Sequence, residues 1–302
     1  MTIFKRNKKK QEKKDGACPI PEGTDKKDEK VCETCSLKTS CADKKVGEKE
    51  KVKQSIHGIK HKIVIMSGKG GVGKSTVAAS LAASLADQGK SVGLLDVDVH
   101  GPSIPGVLGL KGIRAKLTAD KRLAPVLWKE KLKVVSIGFL LSDEKEAVIW
   151  RGPIKMQLIK QFVSEVDWGN LDYLVVDCPP GTGDEPLSAL HDLGKDAKVI
   201  IVTTPQGLVI DDVRRSISFC KKVGNEILGI VENMSGFKCP SCGDYHDLFG
   251  SGGGEKLAKE MGVPFLGHIP LNAQIMKAGD SGDLSHEFMD EIVEKVTASV
   301  GD

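Results

Sequence analysis

The chain has 302 residues, of which 40% are hydrophobic and 34 are glycine, with a net formal charge of +3; this suits one large or two small turn-rich domains. Aromatic residues make up only 4%, so a surface that stacks nucleic-acid bases is not supported. No run of about 18 apolar residues predicts a membrane span, and no apolar stretch follows the basic start as a secretory leader requires.

In chain order, the first 60 residues hold 17 lysines and arginines against 10 acidic residues, so the basic excess sits there. The run "KRNKKKQEKK" reads as a solvated arm. Residues 1–55 read as an irregular tail, because without sustained hydrophobic periodicity they cannot offset the entropy of ordering. From residue 56 to 302 apolar strands alternate with amphipathic helices. Strands are predicted at 62–66, 91–95, 132–136, 172–176, 198–202, 227–231 and 264–268. Helices are predicted at 74–87, 153–166, 207–223, 253–261 and 284–299. Short, nearly continuous apolar strands between helices predict a mostly parallel sheet covered on both faces. The expected fold is a doubly wound α/β domain with its ligand at the carboxyl ends of the strands.

The first strand runs into "SGKGGVGKST", which fits the phosphate-loop pattern G-x-x-x-x-G-K-[ST] of P-loop NTPases from Gly68 to Ser75. Gly68, Gly70, Gly71 and Gly73 let backbone N–H groups around Val72 curl onto phosphate, at the positive end of the following helix. Lys74 is expected to reach the β- and γ-phosphates and Ser75 to bind Mg²⁺, with Thr76 behind them. "LLDVDVHGPS" places Asp96 and Asp98 just past a strand, and "YLVVDCPPGTGDEP" ends another strand on Asp177. Asp177 is assigned to Mg²⁺ through water, and Asp96 to orienting the attacking water, with a helix or turn cap as its alternative. The segment Gly181–Asp184 is a candidate γ-phosphate sensor.

A second lysine, Lys69, follows the first glycine. The pattern K-G-G-V-G-K-[ST] resembles the deviant phosphate-loop ATPases, the group of the nitrogenase iron protein and the division-site and plasmid-partition ATPases. That resemblance implies that Lys69 crosses a dimer interface to the partner's phosphates, much as an arginine finger does. It also implies ATP as the nucleotide, with Asn233 of "VENMSG" reading adenine and "IPLNAQI" (269–275) closing the other side of the base pocket.

Eight cysteines in a chain expected to be cytoplasmic point to metal or redox chemistry more than to disulfides. Cys239 and Cys242 form a C-x-x-C turn, a chelating half-site that a two-fold dimer would complete to the four ligands of a closed metal centre. A zinc site, a redox dithiol and inert turn cysteines are the competing readings. His246 lies close by, as a ligand or a structural residue. Cys18, Cys32, Cys35 and Cys41 would suffice for a [4Fe–4S] cube or a zinc site within one chain. Cys178 and Cys220 read as packing residues.

Together "GKGGVGKST", "DVDVHGPSIP", "DCPPGTGDEPL", "VTTPQGLVIDDVRRSI", "CPSCG" and "GGGEKLAKEMGVPFLGHIPL" resemble the Mrp/Nbp-type iron–sulfur cluster carrier ATPases, over roughly residues 56–285. The tail cysteines are similar to those of the subset with an amino-terminal cluster, although "DKKDEKVCETCSLKTSC" is more lysine-rich than that subset's pattern. The resemblance implies a homodimer, or a heterodimer with a related ATPase. It implies a labile [4Fe–4S] cluster bridging Cys239 and Cys242 of two subunits, and a second at Cys18, Cys32, Cys35 and Cys41. Slow ATP hydrolysis would serve cluster delivery to apo iron–sulfur proteins. The contrasting expectation is a zinc-stabilised positioning or partition ATPase of the MinD/ParA kind, although the acidic C-terminal segment "HEFMDEIVEKVTASVGD" suits neither a membrane nor DNA.

Overall fold

A computed structural model describes residues 56–99, 101–140, 152–239 and 241–302. The first strand, β1 (Ile59–Ser67), is followed by α1 (Lys74–Asp87), β2 (Val92–Asp96) and a single-turn α2 (Ile104–Val107). Short strands β3 (Lys116–Leu117), β4 (Leu123–Ala124) and β5 (Val126–Trp128) lead to β6 (Leu132–Ser136). Then come α3 (Gly152–Ser164), β7 (Leu171–Asp177), α4 (Asp184–Leu193), β8 (Lys198–Thr203) and α5 (Gly207–Val223). The chain continues through β9 (Ile227–Lys238), β10 (Tyr245–His246), α6 (Gly253–Met261), β11 (Phe265–Leu271), α7 (Ala273–Ser281) and α8 (Asp290–Val300).

The main sheet has nine strands in the order β10-β9-β8-β1-β7-β2-β6-β5, with β11 pairing to β9. The β8-β1-β7-β2-β6 ladders are parallel, and antiparallel pairs occur only at the margins, β5 with β6 and β10 with β9. The cause is legible in β1, where Ile63, Val64, Ile65 and Met66 are all fully buried. Side chains on both faces of the strand leave water, as expected where helices cover both sides of a parallel sheet. Burying each such side chain contributes about 1.5–3 kcal/mol against exposure.

Helix α1, "KSTVAASLAASLAD", is buried on almost every side from Val77 to Ala86. Its alanines and serines let it lie close against β7, β2 and β1, where larger side chains would hold it off. Helix α5 carries a narrower stripe, burying Val209, Val213, Ile217 and Cys220 at helical spacing. Cys178 and Cys220 are both buried in the core, the packing role expected of them.

Predicted helices 74–87, 207–223 and 253–261 match α1, α5 and α6 at both ends. The last predicted helix, 284–299, begins later, at Asp290, after a 3₁₀ turn over Glu287–Met289. Helices α4 and α7 are additional to the sequence reading, and Asp184 of the expected phosphate-sensing segment is the first residue of α4. Strand β9 runs seven residues past its predicted end at 231.

Candidate functional site

The carboxyl ends of β1, β2 and β7 lie side by side, because β7 pairs with both neighbours in register. Asp96 at the end of β2 is directly opposite Asp177 at the end of β7. The loop from Ser67 to Gly73 crosses these ends and delivers the chain into α1. Beyond β7, the Gly181 N–H donates to the Ser67 carbonyl at 2.8 Å, tying the following loop to the phosphate loop.

A cavity of about 290 Å³ opens above this junction, lined by Gly70, Gly71, Gly73, Lys74, Ser75 and Asp98 among others. Gly73 has φ +80°, and a Cβ there would run into the Asn233 side-chain amide; only glycine meets both demands. Lys74 is buried and its Nζ lies 2.5 Å from Asp177 Oδ1 and 3.8 Å from Asp98 Oδ2. Burial opposes its charge, but Asp177 beside it outweighs burial, so its pKa lies above the ordinary lysine value. Asp177 is fully buried, and burial raises its pKa against the lowering effect of Lys74. Its second oxygen, Oδ2, is buried without a hydrogen-bond partner. An orphaned anionic oxygen beside a Ser75 hydroxyl and a phosphate loop fits a hard divalent cation such as Mg²⁺.

The two aspartates after β2 divide differently from the sequence reading. Asp96 does not line the cavity: Oδ1 accepts from the Asp98 N–H at 3.0 Å and Oδ2 from the Ser136 hydroxyl at 2.8 Å. Burial, reinforced by the charge of Asp177, pushes its pKa up to about 8. Asp98 is the one that faces the cavity and Lys74. The D-x-D spacing was the available signal for it.

Lys69 is about half exposed at the cavity mouth, with its Nζ 3.1 Å from Asp212 Oδ2 at the start of α5. Arg215 grips the same carboxylate, and a Cβ on Gly68 would strike the Asp212 backbone. The Lys69 hydrogen bond, with Arg215 in support, holds the Asp212 carboxyl below the usual range. Nothing in the local sequence announces Asp212, which is more than a hundred residues away from the loop it meets.

A second cavity, of about 220 Å³, is lined by Gly73, Thr76, Asn233, Met234 and residues 269–272 among others. It therefore brings together the two segments expected to hold the base. Asn233 Nδ2 donates to the Val72 carbonyl at 2.9 Å, so this side chain also braces the phosphate loop.

Asn233 lies on β9, and the same strand leads to the cysteine turn. The Cys239 N–H donates to the Asp244 carbonyl at 2.8 Å and the Gly243 N–H to the Cys239 carbonyl at 2.9 Å. Tyr245 and His246 then pair antiparallel with Lys238 and Phe237. The result is a hairpin with Cys239 half-buried and Cys242 exposed at its tip. Backbone N–H groups of Cys242 and Ser241 hold the Cys239 thiol below its ordinary pKa, which favours the thiolate a metal requires. Cys18, Cys32, Cys35 and Cys41 lie outside the described residues. Among the described residues, no helix is long and apolar enough to cross a membrane.

Comparison with known proteins shows the family. The family described as "ParA: NUBPL iron-transfer P-loop NTPase" matches residues 58–300. The chain is 48% identical over 279 residues to the iron-sulfur cluster carrier protein of Methanocaldococcus jannaschii, covering 88% of this chain and 96% of that protein. It is 50% identical over 239 residues to the cytosolic Fe-S cluster assembly factor NUBP2 of Rattus norvegicus, covering 78% and 88% respectively. Among solved structures, the nucleotide-binding protein of Archaeoglobus fulgidus in complex with ADP is 40% identical with a TM-score of 0.71, covering 82% of this chain and 96% of that one. The cell division ATPase MinD of Pyrococcus furiosus, 24% identical with a TM-score of 0.58 over 79% of this chain and 98% of its own, shares the fold.

Proposed function

The chain belongs to the NUBPL-type iron-transfer P-loop NTPases, and from that premise we propose that it hydrolyses ATP to carry an iron–sulfur cluster between two subunits and deliver it to apo-proteins. The observation that carries this reading is β9, a single strand with Asn233 beside the phosphate loop and Cys239 at its far end. Nucleotide and cysteines thus share one backbone element. The carrier and assembly functions named for the two relatives above support the same assignment. The N-terminal cysteines would hold a second cluster.

In this reading the loop Gly68–Thr76 surrounds the phosphates with backbone N–H groups. Lys74 turns from Asp177 towards the γ-phosphate, and Ser75 and Asp177 would hold Mg²⁺, which would neutralise phosphoryl charge there. Asp98 faces the γ-phosphate and orients the attacking water, while Asp96, locked beneath it by Ser136, fixes the Asp98 backbone. Lys69 leaves Asp212 to reach the phosphates of a second copy, so hydrolysis requires two chains. Two C-x-x-C turns facing across that dimer supply four thiolates for one [4Fe–4S] cargo. Tyr245, Leu248 and Phe249, all exposed beside the turn, give each hairpin an apolar rim suited to meeting its copy.

The test is anaerobic reconstitution with iron and sulfide, comparing the natural chain with Cys239→Ala/Cys242→Ala and with a variant lacking the four tail thiols. A bridging cluster predicts about four iron per dimer lost with the first variant, and a separate set of about four per chain lost with the second. Transfer of the bridging cluster to an apo-ferredoxin should require Lys74. Tight, colourless zinc at the turn with no cluster assembly would replace the carrier by a zinc-stabilised positioning ATPase.

A further inference from the structure

Cys242 also belongs to a second set of donors, whose other two members the bridging-cluster reading leaves unused. Along a strand successive side chains alternate faces, so Asp244 and His246 share one face of the hairpin and Tyr245 takes the other. Tyr245 is anchored there, its hydroxyl donating to the Ser235 carbonyl at 3.1 Å. On the first face the Cys242 sulfur, an Asp244 carboxylate oxygen and a His246 ring nitrogen all lie within 4.8 Å of one another, and all three residues are exposed. No hydrogen bond or ion pair among the described residues occupies the Asp244 or His246 side chain.

The spacing is close to what a metal needs. Ligand atoms about 2.0–2.3 Å from a tetrahedral ion stand roughly 3.3–3.8 Å apart, and small rotations of exposed side chains close the remaining gap. The backbone beneath is already fixed, by the Cys239–Asp244 hydrogen bond and the pairing of His246 with Phe237. One thiolate, one imidazole and one carboxylate form a mixed set that suits Zn²⁺, Co²⁺ or Fe²⁺ and not Mg²⁺ or Ca²⁺. Three protein ligands leave a fourth position for water or for a neighbouring thiolate.

We propose that each chain alone binds one such divalent cation through Cys242, Asp244 and His246. The site uses the turn of the cluster reading and rests on that reading for its biological setting, though not for its chemistry. Because Cys242 serves both donor sets, the single-chain cation and the two-chain cluster exclude one another. A cation on the hairpin keeps Cys242 turned towards His246, and an incoming cluster must displace it.

The experiment is an anaerobic titration of the full chain with Co²⁺, with Cys18, Cys32, Cys35 and Cys41 replaced by serine so that tail thiols do not compete. Visible absorption reads thiolate ligation and pulsed EPR reads imidazole nitrogen. The expected result is one Co²⁺ per chain with both signatures. His246→Ala should erase the nitrogen signal, and both it and Asp244→Asn should weaken binding at least about tenfold, the scale on which even supporting groups act at metal sites. One Co²⁺ per two chains, lost with Cys239→Ser and indifferent to His246→Ala, would overturn the proposal, as would no binding at all. Iron–sulfur reconstitution of His246→Ala keeps the two failures apart. A bridging cluster in that variant alongside His246-independent Co²⁺ removes only this inference. His246-dependent Co²⁺ in a chain that assembles no cluster removes only the carrier reading.

Discussion

Lys69 illustrates how the role proposed for a side chain depends on where it is held. The lysine assigned to the partner's phosphates is bound within its own chain by Asp212, which Arg215 also grips. An ion pair of this kind at the surface is weak, enough to bias the lysine without trapping it. Asp212→Asn should therefore raise ATP turnover up to about fivefold at protein concentrations where dimers are scarce, with little effect at high concentration. A uniform loss at every concentration would show Asp212 acting in catalysis and not as a cis restraint. Lys69→Ala should lower turnover by about a hundredfold or more while ATP affinity holds, because the missing charge acts as phosphoryl charge develops; unchanged turnover in steady-state assays would remove its in-trans role.

Asp96 shows the opposite case, a charge whose site works against the fold. An unfolded aspartate titrates near 3.9, whereas burial and Asp177 raise Asp96 to about 8. Between those values the folded chain binds the extra proton, so stability falls as pH rises from about 4 to about 8. Asp96→Asn removes the buried charge and keeps the acceptor for the Asp98 N–H, while its amide N–H donates to the Ser136 hydroxyl, reversing that bond. It should gain about 1–3 kcal/mol in urea denaturation at pH 8 and flatten that pH dependence, while slowing hydrolysis. A variant less stable than the parent at pH 8 would mean that the ionised carboxylate is well compensated in the fold.

At the scale of elements, most of the parallel sheet could be read from the sequence because its strands are uninterrupted apolar runs. Strand β9 departs from this rule. Its predicted end at 231 precedes Glu232, Asn233, Ser235 and Gly236, residues that break a hydrophobic pattern and are held instead by tertiary bonds. Glu232 is buried and accepts from the Gly252 and Gly254 N–H groups, partners no local window contains. Helix α4 had the spacing of an amphipathic helix, burying Pro186, Ala189, Leu190 and Leu193, but it is short and follows a glycine–proline loop. Helix α7 buries no residue fully, so it had no hydrophobic stripe to display. The phosphate loop was legible as a motif, whereas distant partners within the chain, Asp212 for Lys69 and Ser136 for Asp96, are visible only once the sheet brings those segments together.

The extension of β9 carries the chain from Asn233 to the cysteine turn. Gly236 is its weak point: φ is +69°, and a Cβ there would overlap the Tyr245 side chain. Gly236→Ala should force Tyr245 off the Ser235 carbonyl and loosen the hairpin. Iron retained after reconstitution should then fall severalfold while ATP affinity remains near that of the natural chain, since the phosphate loop is untouched. Equal losses of ATP and iron would indicate that the whole strand, and not the hairpin alone, had shifted.

For the whole molecule, the question is what would bring two cysteine turns together in the proposed dimer. Tyr245, Leu248 and Phe249 are 61%, 59% and 42% exposed, clustered within a few residues of Cys242. Exposed aromatic and aliphatic side chains gathered at one place mark contact surfaces more often than scattered ones do. Covering them with a second copy would also exclude water from a bridging cluster, whose lability depends on solvent access. In the proposed dimer two weak contacts would act jointly: Lys69 and nucleotide at one end of β9, the apolar rim and shared thiolates at the other. Each raises the effective concentration of the second, so ATP should tighten cluster binding and the cluster should tighten the ATP dimer by the same factor. Phe249→Glu places a charge in the rim without touching a donor sulfur or the phosphate loop. In sedimentation velocity it should dissociate the cluster-loaded dimer at concentrations where the natural chain stays paired, while ATP affinity of the single chain is unchanged. A cluster-loaded Phe249→Glu dimer as tight as the parent would leave the thiolates and nucleotide as the sole source of pairing, and the coupling through the apolar rim would have to be abandoned.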